Sequence, residues 1–345
     1  MNTTLVRPAE MADLAALTAL AALASWPPHT ASLSSASDET VLVAEAAGVD
    51  GEPAVLLGAL RLRRAVGLAL PRVWYHVGCT VHAASELNLF HRQRTLMLGH
   101  DHTGASELAD IAVDHLHLPL AEQAATLHLL VQTALLLVAR DRRLYAERTI
   151  AELPGPRDSA GQSPFWQGLG RHFYAGDRPS AGAAASAGHS ANWRTHVAAL
   201  LPRQPIYTSF LPDAAQAAIA QTHASALLLR EVLEQAGLRY SHHVNVEDAG
   251  PVLEALTDDL FTVRRARCWT LTPASEVGGT AFVVLAAGPD GAWRAGRVRA
   301  QVQGAGAGTG ASAGAGLGLS TDDLDALEIQ AGASVWAAPL GGEDD

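Results

Sequence analysis

Cysteine is nearly absent from the 345-residue sequence, which contains only Cys79 and Cys268. Two cysteines exclude a disulfide scaffold and a cysteine-rich zinc site, and such a low count is typical of proteins of the reducing cytosol. Clustered positive charge is missing as well, since the 24 basic residues form no run and the net charge is −11. Because nucleic-acid binding depends on clustered basic side chains, no nucleic-acid partner is expected.

Long hydrophobic runs are also missing. The opening residues MNTTLVRPAE show no basic stretch followed by an apolar one, so no signal peptide is predicted. The most apolar segment, 124–139, is interrupted by His128 and Gln132 and is shorter than the ~20 residues that span a membrane. With 48% hydrophobic and 17% charged residues, the chain is predicted to be a globular cytoplasmic protein without a membrane partner.

Segments with strand and helix patterns follow each other along the chain. One helix is predicted to start at Pro8, a long one to run from about Pro119 to Arg142, and a later one to end at Gly237. This order predicts an α+β protein with mixed sheets, repeated loosely in two halves. Strands are predicted for TTLVR, TVLVAEA, PAVLLGALRLRRAVG, VWYHVGCTVHA, SELADIAVD, RLYAERTIAEL and RYSHHVNVEDAG.

The pattern changes after residue 265. Short strands are predicted around TAFVVLAAG and WRAGRVRAQV, and the helix STDDLDAL is predicted to have Ser320 or Thr321 as its cap. A Gly/Ala/Ser segment at 180–190 is typical of a linker. We therefore expect an N-terminal domain at 1–195, a second half at 196–265 and a small β-rich extension at 266–345.

Two motifs raise the question of a metal or a nucleotide cofactor. His100/His102 and His115/His117 are His-x-His pairs, whose side chains share one face of a strand. Zinc needs three or four ligands, and no further cysteine or HExxH helix lies nearby, so no metal is predicted. The run GAGAGTGASAGAG formally fits G-x-G-x-x-A, but it opens no helix, so it is interpreted as an insertion and not as a dinucleotide site.

Several separate motifs, in order, resemble the arginine N-succinyltransferases. The resemblance implies a tandem of GNAT-type acyltransferase domains, in which helices flank each β-sheet. It also implies succinyl transfer from succinyl-CoA, as co-substrate, to the α-amino group of L-arginine or ornithine, with no permanently bound cofactor. The chain would work as a homo-oligomer or with a related subunit. The motifs are VRPAE-ADLAAL, VG--VHAASELN, DHTGASEL, SPFWQGLGR-F, LP-QPIY, LP-AAQ-AI-Q-H and DAGP-LEA, from residue 5 to about residue 267.

The resemblance also implies roles for single residues. His223, at the end of IAQTH, aligns with the family's proposed proton donor, and Ile111 aligns with its succinyl-CoA contact. Histidine, with a pKa near ~6.5, can accept the proton of an attacking amine or protonate a departing thiolate. By residue type, Asp101, Glu107 and Asp248 are candidates to bind the guanidinium of arginine.

One stretch departs from the family pattern. GNAT-type domains place an Arg/Gln-x-x-Gly-x-Gly/Ala turn at a helix start, where N–H groups bind the CoA pyrophosphate. Here the stretch reads HLPLAEQAAT, without an arginine, a lysine or a glycine, and Glu122 adds negative charge. Three functions stay open: an active succinyltransferase whose CoA phosphates bind elsewhere, for example at Arg140, Arg142 or Arg143; an impaired subunit that pairs with an active homologue; and an amino-acid sensor without CoA binding.

Overall fold

The computed structural model describes residues 4–23, 38–47, 54–174, 196–274, 278–288, 292–303 and 316–340. The linker predicted at 180–190 and the Gly/Ala-rich run after 303 lie outside these residues. The helices are α1 (Leu14–Leu23), α2 (Leu120–Arg140), α3 (Pro164–Gly168), α4 (Asp213–Ala218), α5 (Leu227–Gln235), α6 (Phe261–Arg265) and α7 (Thr321–Ala326). The strands are β1 (Thr4–Pro8), β2 (Glu39–Ala46), β3 (Val55–Arg63), β4 (Trp74–Ala84), β5 (Leu89–Gly99), β6 (Ser106–Val113), β7 (Arg148–Glu152), β8 (Ile206–Tyr207), β9 (Arg239–Asn245), β10 (Pro251–Leu256), β11 (Arg267–Pro273), β12 (Thr280–Ala287), β13 (Trp293–Gln303), β14 (Gly316–Leu319) and β15 (Ser334–Pro339).

The strands form one long sheet that ends in a small barrel. The sheet has the order β1-β2-β3-β6-β7-β10-β9-β4-β5-β8, and β1 also pairs with β13 of the barrel. Strands β11 to β15 close the barrel, because β12 pairs with both β13 and β15. Neighbouring strands are antiparallel except for β6 with β7 and β11 with β14. The predicted α+β class, with mixed sheets and a β-rich C-terminal end, is therefore confirmed.

Helix α2 lies at the centre of the largest core. It packs on β3 and β6 from one face of the sheet and contacts α5, α6 and barrel strand β12. All residues from Thr126 to Val138 are buried except His128 and Gln132, which are partly exposed. By length and composition α2 could cross a membrane, yet 61% of its most apolar window is buried inside the protein. Its apolar character is therefore explained by its place as a core helix of a soluble fold.

The ends of several elements differ from the prediction. Pro8 ends β1 and does not start a helix; a 3-10 turn, in which the Asp13 carboxylate accepts the Glu10 N–H, leads into α1. Strands β5, β8, β10, β11, β14 and β15 were not predicted from the sequence. The Gly237 helix end, with φ of 112°, and the Ser320 cap, whose hydroxyl accepts the Asp323 N–H, are confirmed.

Candidate active site

An opening in the sheet begins where β6 and β7 part. These parallel strands share only two paired positions in the described chain, the last of which places Glu107 opposite Ile150. Farther along β6, Asp110 has φ of 49° and the pairing register with β3 shifts, which defines a β-bulge. Beyond Glu107 the backbone edge of β6 that faces β7 therefore has no strand partner among the described residues.

Ile111 lies on the β6 side of this opening. Its side chain is 4% exposed and packs with Leu108 in the core under α2, because the bulge lets residues three apart share one face. The side chain is thus part of the core. What β6 presents to the opening at Ile111 is its unpaired backbone, which can bind the amide groups of an extended ligand.

His223 lies on the other side of the opening. Its backbone N–H donates to the carbonyl oxygen of Pro154 at 2.8 Å, just past the end of β7. The imidazole Nδ1 lies 2.8 Å from the Ser225 hydroxyl oxygen. No hydrogen-bond partner of Nε2 is found among the described residues, so this nitrogen is available to a ligand.

The protonation of His223 is set by its surroundings. Burial lowers the pKa of His223 below its usual value of 6.5, and the Arg157 guanidinium lowers it further, while Asp248 acts in the opposite direction. The imidazole is therefore neutral at neutral pH. The Ser225 backbone N–H donates to Nδ1 at 3.3 Å, which places the proton of the neutral imidazole at Nε2. Uptake of a proton at Nε2 therefore requires the other tautomer, in which Nδ1–H donates to the Ser225 hydroxyl.

Asp248 joins the loop after β7 to the turn between β9 and β10. Its Oδ1 accepts hydrogen bonds from the Gly155 N–H at 2.8 Å, the Asn245 side-chain amide at 2.8 Å and the Gly250 N–H at 3.2 Å. Its Oδ2 accepts one from Arg157 at 2.8 Å. Asp248 is 3% exposed. Both of its oxygens therefore hold the loop after β7, in which the Pro154 carbonyl oxygen binds the His223 N–H.

Glu107 belongs to a charged layer on the face of the sheet opposite α2. The carboxylate is buried and accepts hydrogen bonds from Arg63 at 2.7 Å and from Arg72 at 2.9 and 3.0 Å. Burial alone would raise the pKa of Glu107, but the two guanidinium groups hold it far below its usual range. Arg72 also binds Glu152 at the end of β7, which ties the layer to the opening.

Asp101 is the one of the three candidate acids whose carboxylate reaches solvent. Its side chain is 55% exposed, and Oδ2 lies 3.4 Å from Nε2 of His243. The ring of His243 contacts those of His76 and His102, and burial, with His243, lowers the pKa of His102 to about 4. Across the described residues, no three histidine, cysteine or acidic side chains are placed to hold a metal ion.

The start of α2 contains none of the groups of a GNAT phosphate turn. Pro119 precedes the helix without a side-chain cap. Asp114 accepts the backbone N–H of His117 at 3.1 Å and pairs with its Nδ1 at 2.7 Å, and the His117 side chain is 76% exposed. Arg140 lies at the other end of α2, about 30 Å away at 1.5 Å per residue. It pairs with Asp141, and Arg142 pairs with Asp258, so these arginines cannot bind a phosphate at the helix start.

Two residues of the site were missed from the sequence. Arg157 follows β7, and its charge lowers the pKa of His223. Ser225, two residues after His223 in the sequence, forms a hydrogen bond with the imidazole Nδ1. The spacing His-x-Ser was a usable local signal for Ser225. No local signal existed for Arg157, because its partner Asp248 is 91 residues away in the sequence.

Comparison with known proteins gives the class of this fold. The structure is similar to that of arginine/ornithine succinyltransferase subunit AI from Pseudomonas aeruginosa, with a TM-score of 0.74 and 24% identity, over 99% of this chain and 100% of that chain. The match shows the fold of a succinyltransferase subunit.

The family follows from the sequence comparisons. The family model described as Arginine N-succinyltransferase beta subunit matches residues 4–262. An arginine N-succinyltransferase of Salmonella paratyphi B is 33% identical over 296 residues, which are 86% of this chain and 81% of that protein. The corresponding protein of Salmonella schwarzengrund is 34% identical over the same length. The chain belongs to the arginine N-succinyltransferase family and is an acyl-transferring enzyme by homology.

Proposed function

We propose that this chain transfers the succinyl group of succinyl-CoA to the α-amino group of L-arginine in a ternary complex. The observation that carries the proposal is that His223 is bonded to Pro154, just past the end of β7, and that β7 is the strand from which β6 parts before it reaches Ile111. The family resemblance assigns His223 to proton transfer and Ile111 to the acyl-CoA contact.

The proposed reaction uses one imidazole for both proton transfers. The neutral α-amine attacks the thioester carbonyl, the C–N bond forms, and His223 accepts the amine proton at Nε2. The C–S bond then breaks, and the same proton passes to the sulfur of the departing CoA. Backbone N–H groups along the unpaired edge of β6 would stabilise the oxyanion of the tetrahedral intermediate.

The proposal places the two substrates on different faces of the sheet. Succinyl-CoA would follow the free edge of β6 to the start of α2, where the N–H groups of the first turn and the exposed His117 face its phosphates. L-arginine, or ornithine, would approach from the charged face. Asp101 is proposed to contact the cationic end of the acceptor directly, and Glu107 and Asp248 to hold the surrounding chain.

The remaining properties are proposed on the family likeness. They are the tandem GNAT-type organisation of the two halves, a cytoplasmic location, the absence of a permanently bound cofactor, and assembly as a homo-oligomer or with a related subunit. The single buried apolar helix of the described chain supports a soluble location.

The test of this function is a turnover assay with defined substrates. The chain is incubated with succinyl-CoA and L-arginine, and N-succinylarginine is measured by mass spectrometry, because the exposed thiols of Cys79 and Cys268 would react with a thiol reagent. Ornithine and lysine replace arginine in parallel reactions. Product from arginine supports the proposal, and a folded chain that gives no product with any acceptor contradicts it.

One observation favours a second function, an impaired subunit that pairs with an active homologue. The segment from Asp114 to Glu122 has no glycine, arginine or lysine at the place where family members bind the pyrophosphate. Addition of an active homologous subunit separates the two functions, since an impaired subunit would raise the turnover of its partner while showing none by itself. An amino-acid sensor would bind L-arginine without succinyl-CoA.

Arg157→Gln is expected to shift the pH dependence of the reaction. Loss of the guanidinium removes a charge that lowers the pKa of His223, while Asp248 stays and raises it. Because the neutral imidazole accepts the amine proton, the acidic limb of the kcat profile should move to higher pH. The control is Arg171→Gln, which removes an exposed arginine bound to Gln167. An acidic limb at the same pH in both variants would contradict the role of Arg157.

A further inference from the structure

A cavity of about 760 Å³ lies between α2, α5, α6 and the barrel. This volume is in the range of sites that bind small molecules. Glu231, Glu234 and Gln235 line the cavity from the second half of α5, whereas His223 precedes the first residue of that helix. Neither His223 nor Ile111 is among the described residues of the lining. The cavity is therefore distinct from the opening between β6 and β7.

The two polar interruptions of the apolar helix α2 both face this cavity. His128 and Gln132 lie one helical turn apart and line it from the same side. Within the described ranges, neither side chain forms a hydrogen bond. Burial lowers the pKa of His128 below 6.5, the Arg297 guanidinium lowers it further, and Glu231 acts in the opposite direction. The neutral ring can donate at one nitrogen and accept at the other, so α2 offers the cavity both kinds of hydrogen bond.

Opposite charges line different walls of the cavity. Arg297 of β13 supplies a guanidinium group, and Glu231 of α5 supplies a carboxylate. As far as the chain is described, neither of them forms an ion pair, with the other or with a third residue. Both act electrostatically on His128, so both charges lie near the same part of α2. A ligand that joins the two walls therefore needs one anionic and one cationic group.

Two other charged residues of the lining already have partners. Glu234 pairs with Arg230 at 2.8 Å. Arg239 donates to the carbonyl oxygen of Leu238 at 2.7 Å, beyond the end of α5. These contacts leave the carboxylate of Glu231 and the guanidinium of Arg297 as the groups that a charged ligand would meet.

The cavity also has an apolar part. The Phe261 side chain is 39% exposed and lines the cavity together with Pro339 and Leu340. Arg265, another residue of the lining, lies over the Phe261 ring, with its guanidinium carbon 5.9 Å from the ring centroid. An apolar group of a ligand would remove this surface from water, which favours binding.

We propose that this cavity binds a free α-amino acid with an apolar side chain. Its carboxylate would bind the guanidinium of Arg297, and its ammonium group would bind the carboxylate of Glu231. His128 and Gln132 would supply further hydrogen bonds to these two groups. The side chain of the ligand would pack on Phe261. An apolar amino acid carries one charge of each sign and no other, which matches the one unpaired group of each sign in the cavity.

Calorimetric titration of the full chain with L-leucine, without succinyl-CoA, tests this site. N-acetyl-L-leucine lacks the ammonium group and L-leucinamide lacks the carboxylate. Each analogue should bind at least ~10-fold more weakly than L-leucine, because it loses a hydrogen bond between charged groups. L-phenylalanine is titrated as a second, larger probe. A folded chain that releases no heat with either amino acid, or that binds the two analogues as tightly as L-leucine, would overturn the proposal.

Two variants assign the charged groups of the ligand. Arg297→Gln should weaken the binding of L-leucine by about 10–100-fold and remove the preference for L-leucine over L-leucinamide. Glu231→Gln should instead remove the preference over N-acetyl-L-leucine. The matched control is Arg299→Gln, an exposed arginine on the same strand that is not among the described residues of the lining, and it should bind L-leucine as before. Unchanged binding in Arg297→Gln would overturn the proposal.

A third variant separates this site from the acceptor site proposed above. Asp101 is assigned to the acceptor and does not line the described part of the cavity, so Asp101→Asn should leave the binding of L-leucine unchanged. Loss of binding in this variant would place L-leucine at the acceptor site and overturn the proposal. The titrations contain no succinyl-CoA and measure no turnover, so their outcome is independent of the proposed acyl transfer.

Discussion

His223→Gln is expected to lower kcat for succinyl transfer by about 10²–10⁴-fold, the usual contribution of a positioned acid–base group. Glutamine keeps a polar side chain of similar reach but cannot take the amine proton and return it to sulfur. The backbone N–H that binds Pro154 is unchanged, so the loop should keep its place beside the opening. The KM for succinyl-CoA is expected to change little, because the imidazole acts on the proton and the CoA follows the edge of β6.

The control for this variant is His172→Gln, an exposed histidine in the 3-10 turn after α3. It should have the kcat of the unmodified chain. Initial rates at saturating L-arginine and varied succinyl-CoA separate kcat from KM for both variants. Unchanged kcat in folded His223→Gln would remove His223 from the chemistry and with it the proton path proposed above.

Glu107→Gln is expected to lower the free energy of unfolding by about 3–5 kcal/mol, as for other buried ion pairs that lose one partner. The amide keeps the shape of the carboxylate but leaves Arg63 and Arg72 buried against a neutral group. Urea unfolding with an unchanged m-value measures the loss. The control Glu231→Gln changes an exposed carboxylate on α5 and should have little effect.

The same variant predicts a pH dependence of stability. The folded-state pKa of Glu107 is lowered from 4.5, so its stabilising effect is present above pH 4.5 and is lost as the pH falls below that value. The stability difference between the unmodified chain and Glu107→Gln should therefore shrink in acid. A difference that stays constant through this range would contradict the ionised Glu107 of the structure.

The sequence could predict the elements whose pattern is local. Helix α2 follows from its periodicity and length, and the cap at Ser320 follows from one side chain and one turn. Strand β5 could not be predicted, because LFHRQRTLMLG mixes apolar and basic residues without alternation, and it is stabilised by pairing with β4. The barrel closes through contacts between strands far apart in sequence.

In the candidate site, too, the features that depend on contacts between distant residues could not be predicted from the sequence. His223 and Ile111 were predicted through the family motifs. In the structure His223 is bonded just past the end of β7, and Ile111 lies on β6 beyond its last position paired with β7. The roles of Glu107 and Asp248 depend on arginines that are 44 and 91 residues away, so residue type alone indicated free acids for a guanidinium ligand. Only the folded chain shows that these carboxylates already bind arginines of their own protein.

Calorimetric titration with succinyl-CoA, in the presence and absence of L-arginine, tests the central claim most directly, which is that this chain binds its acyl donor without the glycine-rich phosphate turn. The account predicts binding in the micromolar range, or about −8 kcal/mol, that is retained in His223→Gln. A folded chain that releases no heat with succinyl-CoA under either condition would contradict the account. It would leave two functions for the isolated chain, the impaired subunit of a pair and the amino-acid sensor.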